Sequence, residues 1–339
     1  MKQVIIGIHG LGNKPPKFVL EQWWKDSMNE GLAEAECLKT LPVFEMVYWA
    51  DILYDKPLDR WTNDEDSPYY LDEPYQKTQQ HAEVEPHPIR QKVTRFISDK
   101  LSDIFLNEDK SLNYNFITDS ILKNHFPDLD AYYSETASEN NEISVHVRDQ
   151  IRDRLVQAIQ KYEGCEIMIL AHSMGSIITY DVLNILVPEI NIDTLITMGS
   201  PLGLPIVIGK IAAEQKKKLN GLPVLASPPG LSSKWYNLAD ITDHVALHHK
   251  LADDFLYNGK GIHPIDILVN NTYEINGVKN PHKSFGYLQA PEFVDILSDF
   301  IVEPIPSRRQ RVWVKVKSLV CKFKTQQEQL NEQFKNKMN

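Results

Sequence analysis

Between residues 145 and 198 the apolar residues change their spacing three times, and that alternation limits the fold more than any other feature of the chain. From Val145 through Ile151, Leu155 and Ile159 they follow a helix; Glu166 to Leu170 is a short continuous apolar run; Gly175 to Val187 returns to helical spacing; Thr194 to Met198 is a second short run. Strand, helix and strand in that order imply a parallel sheet with helices packed on both faces. Val4 to Ile8, a β-branched run closed by glycines, reads as a further strand buried on both sides. The expected class is α/β, with a mostly parallel central sheet flanked by helices.

A helix is expected over Phe18 to Gly31 and a strand over Val43 to Trp49, after which the rhythm is lost from Asp51 to about Asn140. Asp51 to Arg90 holds ten acidic residues against four basic ones, with Trp61, Tyr69, Tyr70, Tyr75 and five prolines among them. Both a solvated acidic loop and a lid over a site have this composition. Helical spacing returns between Lys92 and Leu122 in Val93, Phe96, Ile97, Leu101, Ile104 and Phe105, as in a helical cap. Beyond Met198 the pattern predicts an insertion over Pro201 to Ser233, a strand over Lys234 to Ala239, a last strand within Leu268 to Ile275 and a last helix over Glu292 to Ile301. The organisation is then a core built from residues 1–50 and 141–303, a cap or lid insertion over 51–140, and a tail over 304–339.

With 36 Lys and Arg against 46 Asp and Glu, the chain has a formal charge of -10, which argues against nucleic acid as a partner. The three cysteines, Cys37, Cys165 and Cys321, are widely spaced and suggest neither a disulfide framework nor a zinc cage. The N-terminal apolar run is too short for a signal peptide, and no stretch reaches the length of a membrane span, so the expected location is the cytoplasm. The tail reverses the charge: residues 308–339 hold nine basic and two acidic residues. Within 308–324, Val312, Val316, Leu319, Val320 and Phe323 share one helical face beside Lys315, Lys317, Lys322 and Lys324. Such a helix can rest on an anionic membrane as a peripheral contact, on the acidic surface of its own chain, or on a second subunit. Oligomeric state leaves no mark in the sequence.

The sharpest local signal is Ala171-His172-Ser173-Met174-Gly175, set between an apolar strand and an apolar-periodic helix. It resembles the nucleophile elbow of the α/β-hydrolases, Gly-x-Ser-x-Gly, with Ala171 in place of the first glycine. Small residues two before and two after the serine keep the strand-to-helix turn clear of its neighbours, and the helix N-terminus offers N–H groups to an anion. After the first strand, His9-Gly10-Leu11-Gly12-Asn13 resembles the His-Gly loop of lipases and esterases. By that resemblance the Leu11 and Met174 N–H groups form an oxyanion hole, while Gly10 and Gly12 let the chain pass close to substrate. His9 reads as a hydrogen-bonded framework residue.

A serine hydroxyl needs an imidazole to take its proton and a carboxylate to orient the imidazole. In the α/β-hydrolase order the acid follows the serine and the histidine comes last. The stretch Asp240-Ile241-Thr242-Asp243-His244-Val245 resembles the family's acid loop; Asp243 is preferred and Asp240 is the alternative, the other of the two being expected to cap a helix near Val245. His282, just before the last helix, stands where the family carries its histidine. His244, His248 and His249 lie too near the acid, and their spacing is not that of a metal site. Met198-Gly199-Ser200-Pro201-Leu202-Gly203 also resembles lipase-like relatives, which puts Pro201 and Leu202, with His172 of the elbow, beside the substrate.

The resemblance covers about two thirds of the chain in pieces and implies an α/β-hydrolase fold, an esterase or lipase-like reaction on a small-molecule or lipid acyl ester, and no cofactor or metal. A serine peptidase or amidase on the same scaffold, and a catalytically silent relative used for binding, stay open.

Overall fold

The structure is a computed structural model and describes residues 2–77, 127–133, 147–219, 224–246, 248–275 and 277–301. The expected helical cap over 92–122 and the basic tail over 308–324 lie outside the described residues. The described residues through Phe300 cluster into one compact unit.

Six strands form one parallel sheet: β1 (Gln3–Ile8), β2 (Val43–Val47), β3 (Glu166–His172), β4 (Ile192–Met198), β5 (Leu231–Asp240) and β6 (Pro264–Val269), in the order β2-β1-β3-β4-β5-β6. A separate antiparallel pair joins β7 (Glu274–Ile275) to β8 (Val278–Lys279). The helices, in chain order, are α1 (Lys17–Glu34), α2 (Ala50–Leu53), α3 (Pro127–Tyr133), α4 (Val147–Lys161), α5 (Met174–Asp181), α6 (Pro205–Leu219), α7 (Leu251–Asp254), α8 (Ser284–Gln289) and α9 (Pro291–Phe300).

The interior strands read as near-continuous apolar runs because both their faces are covered. Strand alternation sends Val4, Ile6 and Ile8 into one core cluster with Ile151, Leu155 and Ile159 of α4 and Ile177 of α5. Gly7 points the other way, where a Cβ would meet Trp24 of α1 at 3.1 Å. On that second face α1 packs against α8, and the Ser27 hydroxyl donates to the Phe285 carbonyl at 2.8 Å.

A buried ionic knot joins four helices on the first face. Arg152 of α4 reaches Asp181 at 2.6 Å, Glu214 of α6 at 3.2 Å and the Tyr132 hydroxyl of α3 at 2.8 Å, and Arg148 reaches Glu214 at 3.0 Å. The Arg152 and Asp181 side chains are each 1% exposed, so neither charge has water as an alternative partner.

One expectation is corrected and two are refined. The expected insertion over 201–233 holds α6 in its first half, and β5 already begins at Leu231 rather than Lys234; Pro205 opens α6, a proline being well suited to the first helical position, where its missing N–H costs nothing. The last sheet strand is β6, displaced toward the N-terminus from Leu268–Ile275; it opens on Pro264, which an edge strand tolerates, while Glu274–Ile275 belongs to the hairpin. The helix expected through Val187 ends as α-helix at Asp181 and continues as a π-turn over Val182–Leu186. Among the described residues no helix is long and apolar enough to cross a membrane.

Candidate active site

In an open parallel sheet, ligands gather at the carboxyl edge where the strand order reverses. Here β2 lies on one side of β1 and β3 on the other, so the crevice between the ends of β1 and β3 is that point. The loop Gly10 to Asn13 leaves β1 there, and Ser173 follows β3 directly.

Ser173 takes φ 54° and ψ -126°, a strained conformation costing ~1–3 kcal/mol for a residue with a Cβ, and α5 begins at the next residue. The turn is tight on the helix side as well, since a Cβ on Gly175 would lie 2.7 Å from the Ile8 carbonyl oxygen. Met174, as first residue of α5, carries one of the N–H groups that have no partner within the helix.

The Ser173 hydroxyl donates to His282 Nε2 at 3.0 Å, and His282 Nδ1 donates to Asp243 Oδ2 at 2.8 Å and Oδ1 at 3.0 Å. The Asp243 side chain is fully buried, whereas that of His282 is 27% exposed. Asp243 also accepts from the Tyr287 hydroxyl at 2.7 Å and from the Val245 N–H at 2.9 Å. Burial and the adjacent Asp243 hold the Tyr287 phenol well above its ordinary pKa, so it stays a donor.

Asp240 does something else. It accepts from the Thr242 N–H and hydroxyl and from the Asn271 N–H at 2.6 Å, and the Asn271 amide donates to the carbonyls of Pro281 and Lys283 on either side of His282. The capping role expected for whichever aspartate is not paired with the histidine is therefore misassigned: the short 3₁₀ turn His244–Ala246 is capped by Asp243 itself, and Asp240 braces the histidine loop through Asn271. The geometry follows from position, because Asp240 ends β5 with its carboxylate turned to the loop after β6.

His172 and His282 lie with ring centroids 4.8 Å apart, and His172 Nε2 donates to the His282 carbonyl at 2.7 Å. Burial, then the neighbouring His282, holds the His172 pKa well below its ordinary value, so the ring is neutral and its one N–H is committed to that carbonyl. Gly199, at φ 54°, passes beneath the pair: a Cβ there would lie 2.8 Å from Asp243 Oδ2 and 3.0 Å from His282 Nδ1. On the other side a Cβ on Gly10 would lie 2.6 Å from Ser173 Cβ, so only glycine allows the first loop this close.

His9 is buried, and its pKa is held well below the ordinary value chiefly by burial. Its Nε2 accepts the Trp49 N–H at 3.0 Å, which leaves the proton on Nδ1, and Nδ1 donates to the Gly10 carbonyl at 2.9 Å. That carbonyl belongs to the same planar peptide as the Leu11 N–H, so His9 sets the direction of both.

A cavity of about 330 Å³ opens at Ser173. Leu11, Gly12, His172, Met174, Pro201 and His282 are among its walls, and Trp24, Ile177, Leu204, Val207 and Phe285 make most of it apolar. Leu202 does not line it; that side chain is fully buried in the core cluster. Lys14, Asp72, Glu73, Asn280 and Lys283 supply a polar wall. Among the described residues no group of three or more His, Cys, Asp or Glu could hold a metal ion.

Sequence reasoning missed Tyr287, Asn271 and Gly199. Gly199 lay inside a stretch already singled out, and Tyr287 stands five residues beyond His282, but neither residue type announces what it touches. A hydroxyl 3.0 Å from an imidazole anchored on a buried carboxylate can surrender its proton as it attacks an electrophile. No protein-family model matches the chain, and no curated protein matches it closely enough to count as a relative.

Proposed function

We propose that this chain is a serine hydrolase of the α/β-hydrolase fold that cleaves carboxylic esters of apolar acids. The observation carrying this reading is the continuous relay from the Ser173 hydroxyl through His282 to the buried Asp243, at the mouth of a largely apolar cavity. The parallel strand order, a strained serine between strand and helix, and serine, aspartate and histidine in that chain order support the fold assignment. The lid reading of residues 51–140 is supported at both described ends, since Leu58, Leu71 and Leu129 line the cavity.

In this reading Ser173 Oγ attacks the ester carbonyl carbon while His282 Nε2 takes the hydroxyl proton. The oxyanion is held by the N–H groups of Leu11 and Met174, each such donor being worth ~3 kcal/mol in the transition state. Collapse of the tetrahedral intermediate breaks the bond to the alcohol oxygen, which leaves with the proton from His282. Water then attacks the acyl-serine with His282 again as base, and collapse of the second tetrahedral intermediate breaks the bond to Ser173 Oγ, which takes back the proton from His282 as the acid leaves. A peripheral membrane contact through 308–324 fits a lipid ester as substrate; it predicts that deleting 308–339 lowers pelleting with anionic liposomes at low salt.

The test is intact-mass detection of a fluorophosphonate adduct, mapped by peptide. Labelling at Ser173, lost in Ser173→Ala, is expected. Asp243→Asn, which leaves His282 without its orienting carboxylate, is expected to lower kcat on p-nitrophenyl butyrate by about 10⁴-fold. Asp240→Asn keeps a side-chain acceptor and is expected to lose far less. A wild-type chain that stays unlabelled, or one that turns over peptide anilides faster than p-nitrophenyl esters, sinks the ester-hydrolase reading.

A further inference from the structure

The peptide group between Leu11 and Gly12 is gripped from both sides by opposite charges. Lys14 Nζ donates to the Leu11 carbonyl and, at 3.0 Å, to the Gly12 carbonyl. The Gly12 N–H donates to Asp128 Oδ2 at 2.6 Å. Hydrogen bonds to charged partners are about twice as strong as neutral ones, so an ammonium on one end of a peptide dipole and a carboxylate on the other hold its plane firmly. Asp128 is buried, and its second oxygen accepts the Tyr54 hydroxyl at 2.6 Å, so the carboxylate cannot swing away without leaving a partner unpaired.

The two peptides that meet at Leu11 have different duties. The one before it carries the Leu11 N–H, with its carbonyl held by His9. The one after it turns its N–H to Asp128. With both planes fixed, Leu11 has no free backbone dihedral, so the direction of its N–H is set.

We infer that Lys14 and Asp128 are positioning residues that clamp the Leu11–Gly12 peptide and through it tie helix α3, the end of the insertion, to the direction of the Leu11 N–H. This rests on the serine-hydrolase reading, in which that N–H holds the oxyanion. The clamp links lid and chemistry: a shift of α3 withdraws Asp128 from Gly12 and loosens the donor.

Lys14 is surrounded by titratable groups: Asp128 from α3, Asp72 and Glu73 from the first arm of the insertion, Lys283 from the histidine loop, and His9 below. Burial lowers its pKa to about 8, with Lys283 acting in the same direction and the three carboxylates against it. The ammonium is therefore lost as pH rises through about 8.

The test measures kcat and KM on p-nitrophenyl butyrate for Lys14→Met, Lys14→Arg, Asp128→Ala and the double variant Lys14→Met with Asp128→Ala. Each of Lys14→Met and Asp128→Ala is expected to lower kcat at least tenfold at pH 7 with KM within about twofold. Because both act on one peptide, the double variant is expected to fall no further than the worse single. Wild-type kcat is expected to decline above about pH 8, and Lys14→Arg to move that decline upward, since guanidinium keeps its proton. Unchanged kcat in Lys14→Met, or losses that multiply in the double variant, overturn the clamp. If Lys14→Met fails to fold, the Lys14→Arg profile decides, and an unmoved alkaline limb overturns it. Fluorophosphonate labelling of the wild type separates the two ideas: an unlabelled wild type sinks the hydrolase reading, whereas a labelled one with unaffected variants sinks only the clamp.

Discussion

A methyl group on Gly199 would stand within 3.0 Å of both members of the Asp243–His282 pair, on a backbone whose φ is already +54°. Gly199→Ala is therefore expected to cost ~1–2 kcal/mol of stability from the left-handed backbone alone, and more from the contact. On the serine-hydrolase reading it should also push the imidazole off its line to Ser173 and lower kcat at least tenfold. Chemical denaturation and kinetics on the same preparation check both, and a stable variant with full activity would show that the pair has room to spare. The residues most easily read from the sequence are those whose neighbours along the chain carry the signal: Ser173 stands between small residues on a strand-to-helix turn. Gly199 and Tyr287 act on residues 44 or more positions away and Asn271 on a loop another segment delivers, and no local pattern records that. Leu202 was misread for the converse reason: it adjoins Pro201 in sequence but faces the core.

At the scale of elements, the two described stretches between β2 and α4, residues 51–77 and 127–133, each meet one side of the crevice. Glu73 pairs with Lys283 and accepts from the Asn280 amide at 3.1 Å, bracketing His282, while Tyr75 packs against Phe285 at 4.9 Å. At the far end, α3 supplies Asp128 to the first loop and Tyr132 to the buried knot around Arg152. Arg152→Ala leaves Asp181 buried without its cation and Glu214 with Arg148 alone, and is expected to cost ~3–5 kcal/mol, read as a lower urea midpoint. It should also lower kcat by freeing α3, whereas Arg148→Ala, at the rim of the same knot, should cost less. Equal losses for the two would mean that the knot is not centred on Arg152. Helix α6 escaped the sequence reading because Pro205 and Gly209 imitate a turn, and only the burial of Val207 and Ile211 against the core reveals the helical face.

For the whole molecule, His9 and His172 set an acid limit. His9 is buried and His172 largely enclosed; both are neutral in the folded chain, with pKa values held well below 6.5, while the unfolded chain protonates them near 6.5. The unfolded state then binds more protons, so stability is full above about pH 6.5 and is lost as pH falls from there toward the folded values. Urea midpoints at pH 7.5 and 5.5 should show that loss, and His172→Gln, which keeps a donor but does not titrate, should show less of it; an equal loss removes His172 from the account. The parallel class of the sheet was legible because a helix separates successive apolar runs, but the strand order was not, since the side of β1 on which a crossover lands depends on packing rather than period. One consequence of that layout concerns synthesis. His282 is delivered from beyond the edge strand β6 and lies 109 residues after Ser173, so a growing polypeptide already bearing Ser173 lacks the imidazole that meets it. On the proposed reading the hydroxyl stays silent during synthesis, and reactivity switches on only once the far margin of the sheet has been made and has docked.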